Sequence, residues 1–91
     1  MLSSGYALSP AYPNPFQDAS SLDLTLPKSQ DVRVAVYDML GSEVAVLHEG
    51  TLAAHMQHVL HVDSITWPSG LYVVRAEGTT FTATQTLVVW K

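Results

Sequence analysis

The stretch VRVAVYDMLGSEVAV at residues 32–46 decides the fold class of this 91-residue chain. Its apolar residues recur at every second position on both sides of a central turn: Val32, Val34, Val36, Val44 and Val46. A period of two is typical of a β-strand, because successive side chains point to opposite faces. The turn spans residues 38–42, where Gly41 can adopt a positive φ. The stretch therefore predicts a β-hairpin.

Alternation of the same kind continues through the rest of the chain, and no segment has a convincing helical period. The alternating apolar positions are Leu22, Leu24 and Leu26, then Leu60 and Val62, then Tyr72, Val74 and Ala76, then Phe81 and Ala83. A final apolar strand, Leu87 to Trp90, closes the sequence. Turn residues such as Pro27, Ser69-Gly70 and Gly78 separate these runs. We expect an all-β protein of about seven short antiparallel strands arranged as a β-sandwich, with a small barrel as the alternative.

Composition limits the functions open to this small single domain. The net charge is −4, charged residues make up only 13% of the chain, and its four Lys and Arg residues are scattered. Nucleic acids and anionic membranes both favour a concentrated basic face, so neither is an expected partner. No apolar run approaches the roughly 20 residues of a transmembrane helix, and no signal-peptide pattern opens the sequence. Because there is no cysteine, we expect no disulfide and no thiolate metal site.

Three histidines are the first candidates for metal binding: His55, His58 and His61. On a strand, His58 points to the face opposite the other two, which stand about 20 Å apart at ~3.3 Å per residue. One metal ion requires its imidazole ligands to converge on a point. We therefore expect no metal site and no cofactor.

Acidic and nucleophilic residues also lack a catalytic pattern. Asp38, Glu43 and Asp63 lie at strand ends and turns, where acidic side chains commonly cap the backbone, and their spacing selects no glycosidase-like pair. No serine lies in a Gly-x-Ser-x-Gly elbow, and Gly41 is an isolated turn glycine rather than part of a phosphate loop. We expect no catalytic residue, so the domain itself is not predicted to be an enzyme.

Near the N-terminus, the segment Tyr12-Pro13-Asn14-Pro15-Phe16 stands apart from the strand pattern. Each proline fixes its own φ, lacks an N–H and favours extended backbone in the residue before it. The aromatic residue at each end supplies an apolar anchor. We expect a rigid segment pinned at both ends along the edge of the β domain. Residues 1–11 are weakly patterned and are expected to be a linker, or an edge strand through Tyr6 and Leu8.

Two tryptophans, Trp67 and Trp90, are candidates for a sugar-stacking platform together with Tyr37 and Tyr72. Aromatic residues in so small a sandwich more often belong to the core or cover an edge. Carbohydrate binding is therefore kept as an alternative function.

Several motifs that follow one another in a fixed order over residues 6–91 indicate the family more specifically than any single motif does. The motifs are Tyr12 to Phe16, the hairpin Val34 to Leu47, His58 in a strand that ends at Asp63, the turn Pro68 to Tyr72 and the closing stretch Thr84 to Lys91. Together they resemble the C-terminal sorting domain of substrates of the type IX (Por) secretion system of the Bacteroidetes. The immunoglobulin-like domain of flagellar hook-capping proteins is related. The sequence departs from the family at His55-Met56, where a small Ala-Gly pair is usual.

The resemblance implies an immunoglobulin-like sandwich of seven strands with a non-catalytic role. Such domains form the C-terminus of large exported proteins, often hydrolases, and the outer-membrane translocon recognises them as the signal for secretion. A surface peptidase is implied as a second partner, and the implied localisation is the medium or the outer-membrane surface of a Gram-negative bacterium. On this interpretation residues 12–91 are the sorting domain, and residues 1–11 lead from a preceding catalytic domain.

Positions that match the family define the expected site. The resemblance implies that the secretion signal is recognised through Leu87, Val88, Val89 and Lys91, with Lys91 as the natural terminus. It implies structural motifs at Tyr12 to Phe16, at Gly41 and Glu43, and at Ser69, Gly70 and Tyr72. Residues 84–91 are expected to form an accessible edge strand that pairs with a partner strand or a second copy of the chain. A structural spacer of an extracellular enzyme is the remaining alternative.

Overall fold

The computed structural model describes residues 6–91, which form seven β-strands and contain no helix. The strands are β1 (Ala7–Leu8), β2 (Ala19–Thr25), β3 (Gln30–Asp38), β4 (Glu43–Leu52), β5 (His58–Asp63), β6 (Gly70–Gly78) and β7 (Thr82–Val89). All strand pairs within the sheets are antiparallel. Over the same residues, no helix suited to crossing a membrane is present. The prediction of an all-β protein with seven antiparallel strands is confirmed.

The strands form two sheets that enclose one core. One sheet has the order β1-β2-β5, and the other has the order β4-β3-β6-β7. The fold is a sandwich rather than the small barrel, because the strands divide into two separate sheets. Strand β4 lies beside β3, whereas constant-type immunoglobulin domains place their fourth strand in the sheet of the first two. This order makes β4 and β7 the two edge strands of the larger sheet.

The core is built from alternating apolar positions of both sheets. Its least exposed members include Leu22, Leu24, Val34, Val36, Val74 and Leu87. Neighbouring residues along each strand face away from the core, as the period of two requires. Removal of this apolar surface from water is the main stabilising contribution in a domain of this size.

Strand β4 turns the residues between its alternating valines toward the core. Val44 and Val46 are 37% and 44% exposed, whereas Ala45 and Leu47 pack against the core. The register between β3 and β4 shifts twice along the hairpin. A β-bulge inserts an extra residue into one strand and so changes which side chains face inward. Alternation alone does not reveal where such bulges occur.

The three histidines occupy different structural settings. His55 lies in the connection between β4 and β5 rather than on a strand, with a φ of 60°. The His58 Nε2 atom is 2.8 Å from the Ala53 carbonyl oxygen, and the His61 Nδ1 atom is 3.3 Å from Ser21 Oγ. Glycine adopts a left-handed backbone without the steric cost that a Cβ brings. The backbone at His55 therefore has a conformation that glycine would adopt at lower cost.

Replacing His55 by Gly should raise the free energy of unfolding by about 1 kcal/mol, because glycine avoids the steric cost of a positive φ. Urea denaturation of the purified domain measures the change. His55→Ala is the matched control, since it removes the imidazole but keeps the Cβ, and we expect no comparable gain. Equal stabilisation by Ala and Gly would show that the backbone conformation is not the cause.

Candidate recognition site

The last strand, β7, contains most of the residues expected to be recognised as the secretion signal. Leu87 and Val89 are 0% and 2% exposed and belong to the core, whereas Val88 between them is half-buried and points outward. Alternate residues of a strand face opposite sides, so the three side chains are not equivalent. In the folded domain, Val88 is the one of these three whose side chain is accessible from outside.

The outer backbone edge of β7 is occupied by the proline-rich segment. The Asn14 side-chain amide donates a hydrogen bond to the Thr86 carbonyl (3.1 Å) and accepts one from the Val88 N–H (2.8 Å). The Phe16 N–H donates to the Val88 carbonyl (2.9 Å), and the Trp90 N–H donates to the Phe16 carbonyl (3.0 Å). A carboxamide carries the same kinds of donor and acceptor as a peptide group. Asn14 therefore takes the place of a residue in a neighbouring strand.

These hydrogen bonds correct the expectation that residues 84–91 form an accessible edge. Strand addition requires backbone donors and acceptors that are free to pair. The proline-rich segment already pairs with four backbone groups on this edge. They are the Thr86 carbonyl, the N–H and carbonyl of Val88, and the Trp90 N–H just beyond β7. Strand β7 is an edge strand of its sheet, but the proline-rich segment covers this part of its edge. The cover comes from a side chain distant in sequence, which no strand pattern reveals.

At its other end, the proline-rich segment is fixed to the three-stranded sheet. Tyr12 exchanges two backbone hydrogen bonds with Ser21 of β2, at 2.9 and 3.1 Å. The Ser20 hydroxyl donates to the Pro13 carbonyl at 2.6 Å. The Tyr12–Pro13 and Asn14–Pro15 peptide bonds are both cis. The segment thus crosses from β2 to β7 and joins the edges of the two sheets.

Of the two expected aromatic anchors, Phe16 is buried and Tyr12 is not. Phe16 is 3% exposed in the core, but Tyr12 is 83% exposed. Ala11, which precedes Tyr12, is buried instead. Adjacent residues of an extended backbone face opposite sides, so burial of Ala11 places the Tyr12 ring in solvent. The expectation of an anchoring Tyr12 side chain is therefore wrong, and Tyr12 is held through its backbone.

The cover continues toward the start of β7, and we call residues 6–16 the strap. Within it, β1 pairs with β2. The Gln85 side-chain amide donates to the Leu8 carbonyl at 2.9 Å, and the Tyr6 and Phe81 rings stack with their centroids 4.8 Å apart. The strap therefore contacts both sheets along the side of the sandwich between β2 and β7. Residues 1–5 of the expected linker lie outside the described residues.

Lys91 folds back on the connection between β5 and β6. Its ammonium donates to the Ser64 carbonyl, and its backbone N–H donates to Ser69 Oγ, both at 2.8 Å. Ser64 is fully buried, and its own hydroxyl and N–H donate to the carbonyls of Gln17 and Asp18. Through Ser64, Lys91 is thus connected to Gln17 and Asp18, the two residues that follow the strap. The turn motif in the sequence marks Ser69, but no spacing pattern marks the buried hydroxyl of Ser64.

Tyr72 and Trp67 pack together at the beginning of β6. Tyr72 is buried, and its hydroxyl donates to the Pro68 carbonyl at 2.7 Å, like the tyrosine corner of Greek-key sandwiches. The Trp67 ring packs against the core, with its centroid 4.9 Å from that of Tyr72. Trp90 is 54% exposed. Of the two candidate sugar-stacking tryptophans, Trp67 covers the core and Trp90 has the freer ring.

The turn of the β3–β4 hairpin is held by its own hydrogen bonds. The Asp38 carboxylate accepts the N–H groups of Leu40 and Ser42, both at 2.9 Å. Gly41 has a φ of 85°, a conformation that suits glycine. The motif around Gly41 therefore builds a fixed turn, as the sequence suggested for this position.

Glu43, the other residue of the hairpin motif, forms an ion pair on the outer face of the sheet. Its carboxylate lies 2.7 Å from the Arg33 guanidinium, and Glu49 approaches the same guanidinium at 3.4 Å. The hydrogen bond that the Arg33 guanidinium donates to the Glu43 carboxylate raises the pKa of Arg33 above its usual value. Both partners are solvent-exposed, so the pair orients the side chains more than it stabilises the fold.

By their fold, residues 6–91 form a small β-sandwich module of seven strands. Residues 10–90 match the family model of the secretion system C-terminal sorting domain, and the chain belongs to that family. Domains of this family are non-catalytic C-terminal sorting signals for type IX secretion. Membership implies export to the cell surface or medium in the Bacteroidetes. No curated protein matches the chain. The family resemblance drawn from the ordered sequence motifs is confirmed.

Asn14→Ala should lower the free energy of unfolding by about 1–3 kcal/mol, because it removes two hydrogen bonds and leaves backbone groups of β7 unpaired under the strap. Urea denaturation of the purified domain measures the loss. Tyr12→Ala is the matched control within the same segment. Its ring is 83% exposed, so we expect a change within about 0.5 kcal/mol. If Asn14→Ala were no more destabilising than Tyr12→Ala, the edge cover would not depend on the Asn14 amide.

Proposed function

We propose that this domain directs a larger exported protein, such as a secreted hydrolase, through the type IX secretion system to the cell surface or medium. The family match over residues 10–90 is the observation that supports this proposal. The partners in it are the translocon and a surface peptidase. The cargo is a preceding catalytic domain, whose tether reaches the sandwich at the strap. The sorting domain contributes the address and no catalytic residue.

In this proposal, the translocon reads the folded end of β7. Val88 points outward there, and the exposed Trp90 follows it. Because the strap already pairs with the backbone of this part of β7, contact is made through outward side chains rather than by strand addition. Leu87 and Val89 act indirectly, since their burial fixes the strand in the core. Lys91 holds the end of the strand against the β5–β6 connection.

Export of a reporter fused ahead of residues 1–91 in a type IX host tests the proposal. We expect the reporter at the cell surface or in the medium, and its retention in the periplasm when residues 84–91 are deleted. Unchanged export after that deletion would contradict the proposal. Retention of the complete fusion would instead favour the spacer alternative, since a spacer carries no address.

Trp90→Ala separates recognition from folding, because deletion of residues 84–91 also removes most of β7 from the sheet. Trp90 is 54% exposed, so the variant should keep its core while export falls about tenfold, equivalent to 1.4 kcal/mol of binding. Tyr12→Ala removes an exposed aromatic ring away from the end of β7 and should export normally. Thermal melting of both purified variants checks that they fold.

Two outcomes would count against this role of Trp90. Equal export of Trp90→Ala and Tyr12→Ala would exclude the Trp90 ring from recognition. Retention of the wild-type domain on insoluble polysaccharide, lost in Trp90→Ala, would favour the carbohydrate-binding alternative.

A further inference from the structure

Exposed apolar side chains are grouped at one end of the four-stranded sheet. Within residues 6–91, ten large apolar side chains are strongly exposed, and five of them lie on the β3–β4 hairpin or beside it: Met39, Leu40, Val44, Val46 and Leu71. Leu40 is 91% exposed. Single exposed apolar residues are ordinary on protein surfaces, but a contiguous group of them marks an interaction surface.

Strand register places this group next to the end of β7. Asp38, at the base of the hairpin turn, pairs with Tyr72, and Leu71 pairs with Val88. Tyr72 is buried, so its neighbour Leu71 faces outward, as Val88 does on β7. Trp90 follows Val88 in the same alternation. The hairpin turn and the outward residues of β6 and β7 thus lie at the same end of the sheet, and we call Leu40, Leu71, Val88 and Trp90 the outer end face.

The hairpin presents Leu40 on a turn that is already ordered. Besides the two bonds to its carboxylate, the Asp38 N–H donates to the Ser42 carbonyl (2.9 Å), and the Gly41 N–H donates to the Asp38 carbonyl (3.1 Å). Binding by a preordered segment loses less conformational entropy than binding by a flexible one. Leu40 therefore has the properties of an anchor that inserts into a partner.

The charges around the outer end face favour a protein partner over a lipid surface. Three of the four cations are bonded to groups of the domain itself: Arg33, Arg75 and Lys91. The fourth, Lys28, lies just before β3, at the end of that strand opposite the hairpin turn. Over residues 30–52 the hairpin carries four carboxylates and one guanidinium, that of Arg33, so it keeps a net negative charge after the Arg33–Glu43 pair is counted. Anionic lipid headgroups require free basic residues, whereas an apolar pocket with a basic rim would complement this face.

We propose that the outer end face, with Leu40 and Leu71 as its anchors, binds an apolar, basic-rimmed pocket on a protein of the export machinery. The inference rests on the proposed function, because Val88 and Trp90 belong to the end of β7 that is read there. It adds two specificity residues that lie outside the last strand. The sorting signal is then a surface assembled from the hairpin, β6 and β7 rather than a linear C-terminal motif.

Reporter export with single variants tests the inference. Leu40→Ser and Leu71→Thr remove the anchors, and Met56→Ser and Val59→Thr are matched controls. Met56 and Val59 are 55% and 51% exposed and lie away from this face, Val59 on the three-stranded sheet. Each anchor variant should reduce export at least about tenfold, as loss of a binding hot spot does, while both controls export normally. Thermal melting of all four purified domains establishes that each variant folds.

The outcomes distinguish this inference from the proposed function. If the wild-type fusion is exported and folded anchor variants export as well as the controls, the inference is overturned and the proposed function stands. If the wild-type fusion is not exported, the proposed function fails and the inference fails with it. Sedimentation of the wild-type domain, but not Leu40→Ser, with phosphatidylcholine–phosphatidylglycerol vesicles would assign the face to lipid and overturn the protein pocket.

Discussion

The hydrogen bonds between the Asn14 side chain and the backbone of β7 tie the start of the domain to its last strand. They join residues 72 and 74 positions apart in the chain. On one side of Asn14 the backbone is fixed to β2, and on the other side Phe16 enters the core and pairs with Val88. A single carboxamide therefore helps to hold the two sheets together and to cover the last strand.

A covered last strand determines how the domain can act as a sorting signal. An uncovered marginal strand invites pairing with other chains, and proteins commonly protect such edges. Here the strap protects the end of β7, and Lys91 is bonded to the β5–β6 connection. What remains accessible at this end of the sheet is a set of outward side chains. The proposed recognition of a folded surface rests on this arrangement, and the proposed role of Leu40 extends that surface to the hairpin.

The sequence allowed the fold class, the strand number and the family to be predicted, because period-two alternation and ordered motifs are local properties. The inward position of Leu87 and Val89 was not predicted, because residues 87–90 are all apolar and alternation there does not select a face. The register shifts in β4, the solvent-exposed Tyr12 ring and the bonds of Asn14 and Ser64 were not predictable. Each of these depends on contacts between segments distant in sequence, which neither propensity nor spacing encodes. The Pro-Asn-Pro motif was identifiable, but its partner strand was not.

Hydrogen exchange of individual backbone amides at the end of the wild-type domain, measured by NMR, tests whether the strap covers the edge of β7. We expect the N–H groups of Val88 and Trp90, which point toward the strap, to be protected to a degree comparable with the N–H of Leu87, which points toward β6, because the strap accepts a hydrogen bond from each of the first two. Exchange of the Val88 and Trp90 amides at the rate of an unstructured peptide, with Leu87 still protected, would show instead that the edge of β7 is open.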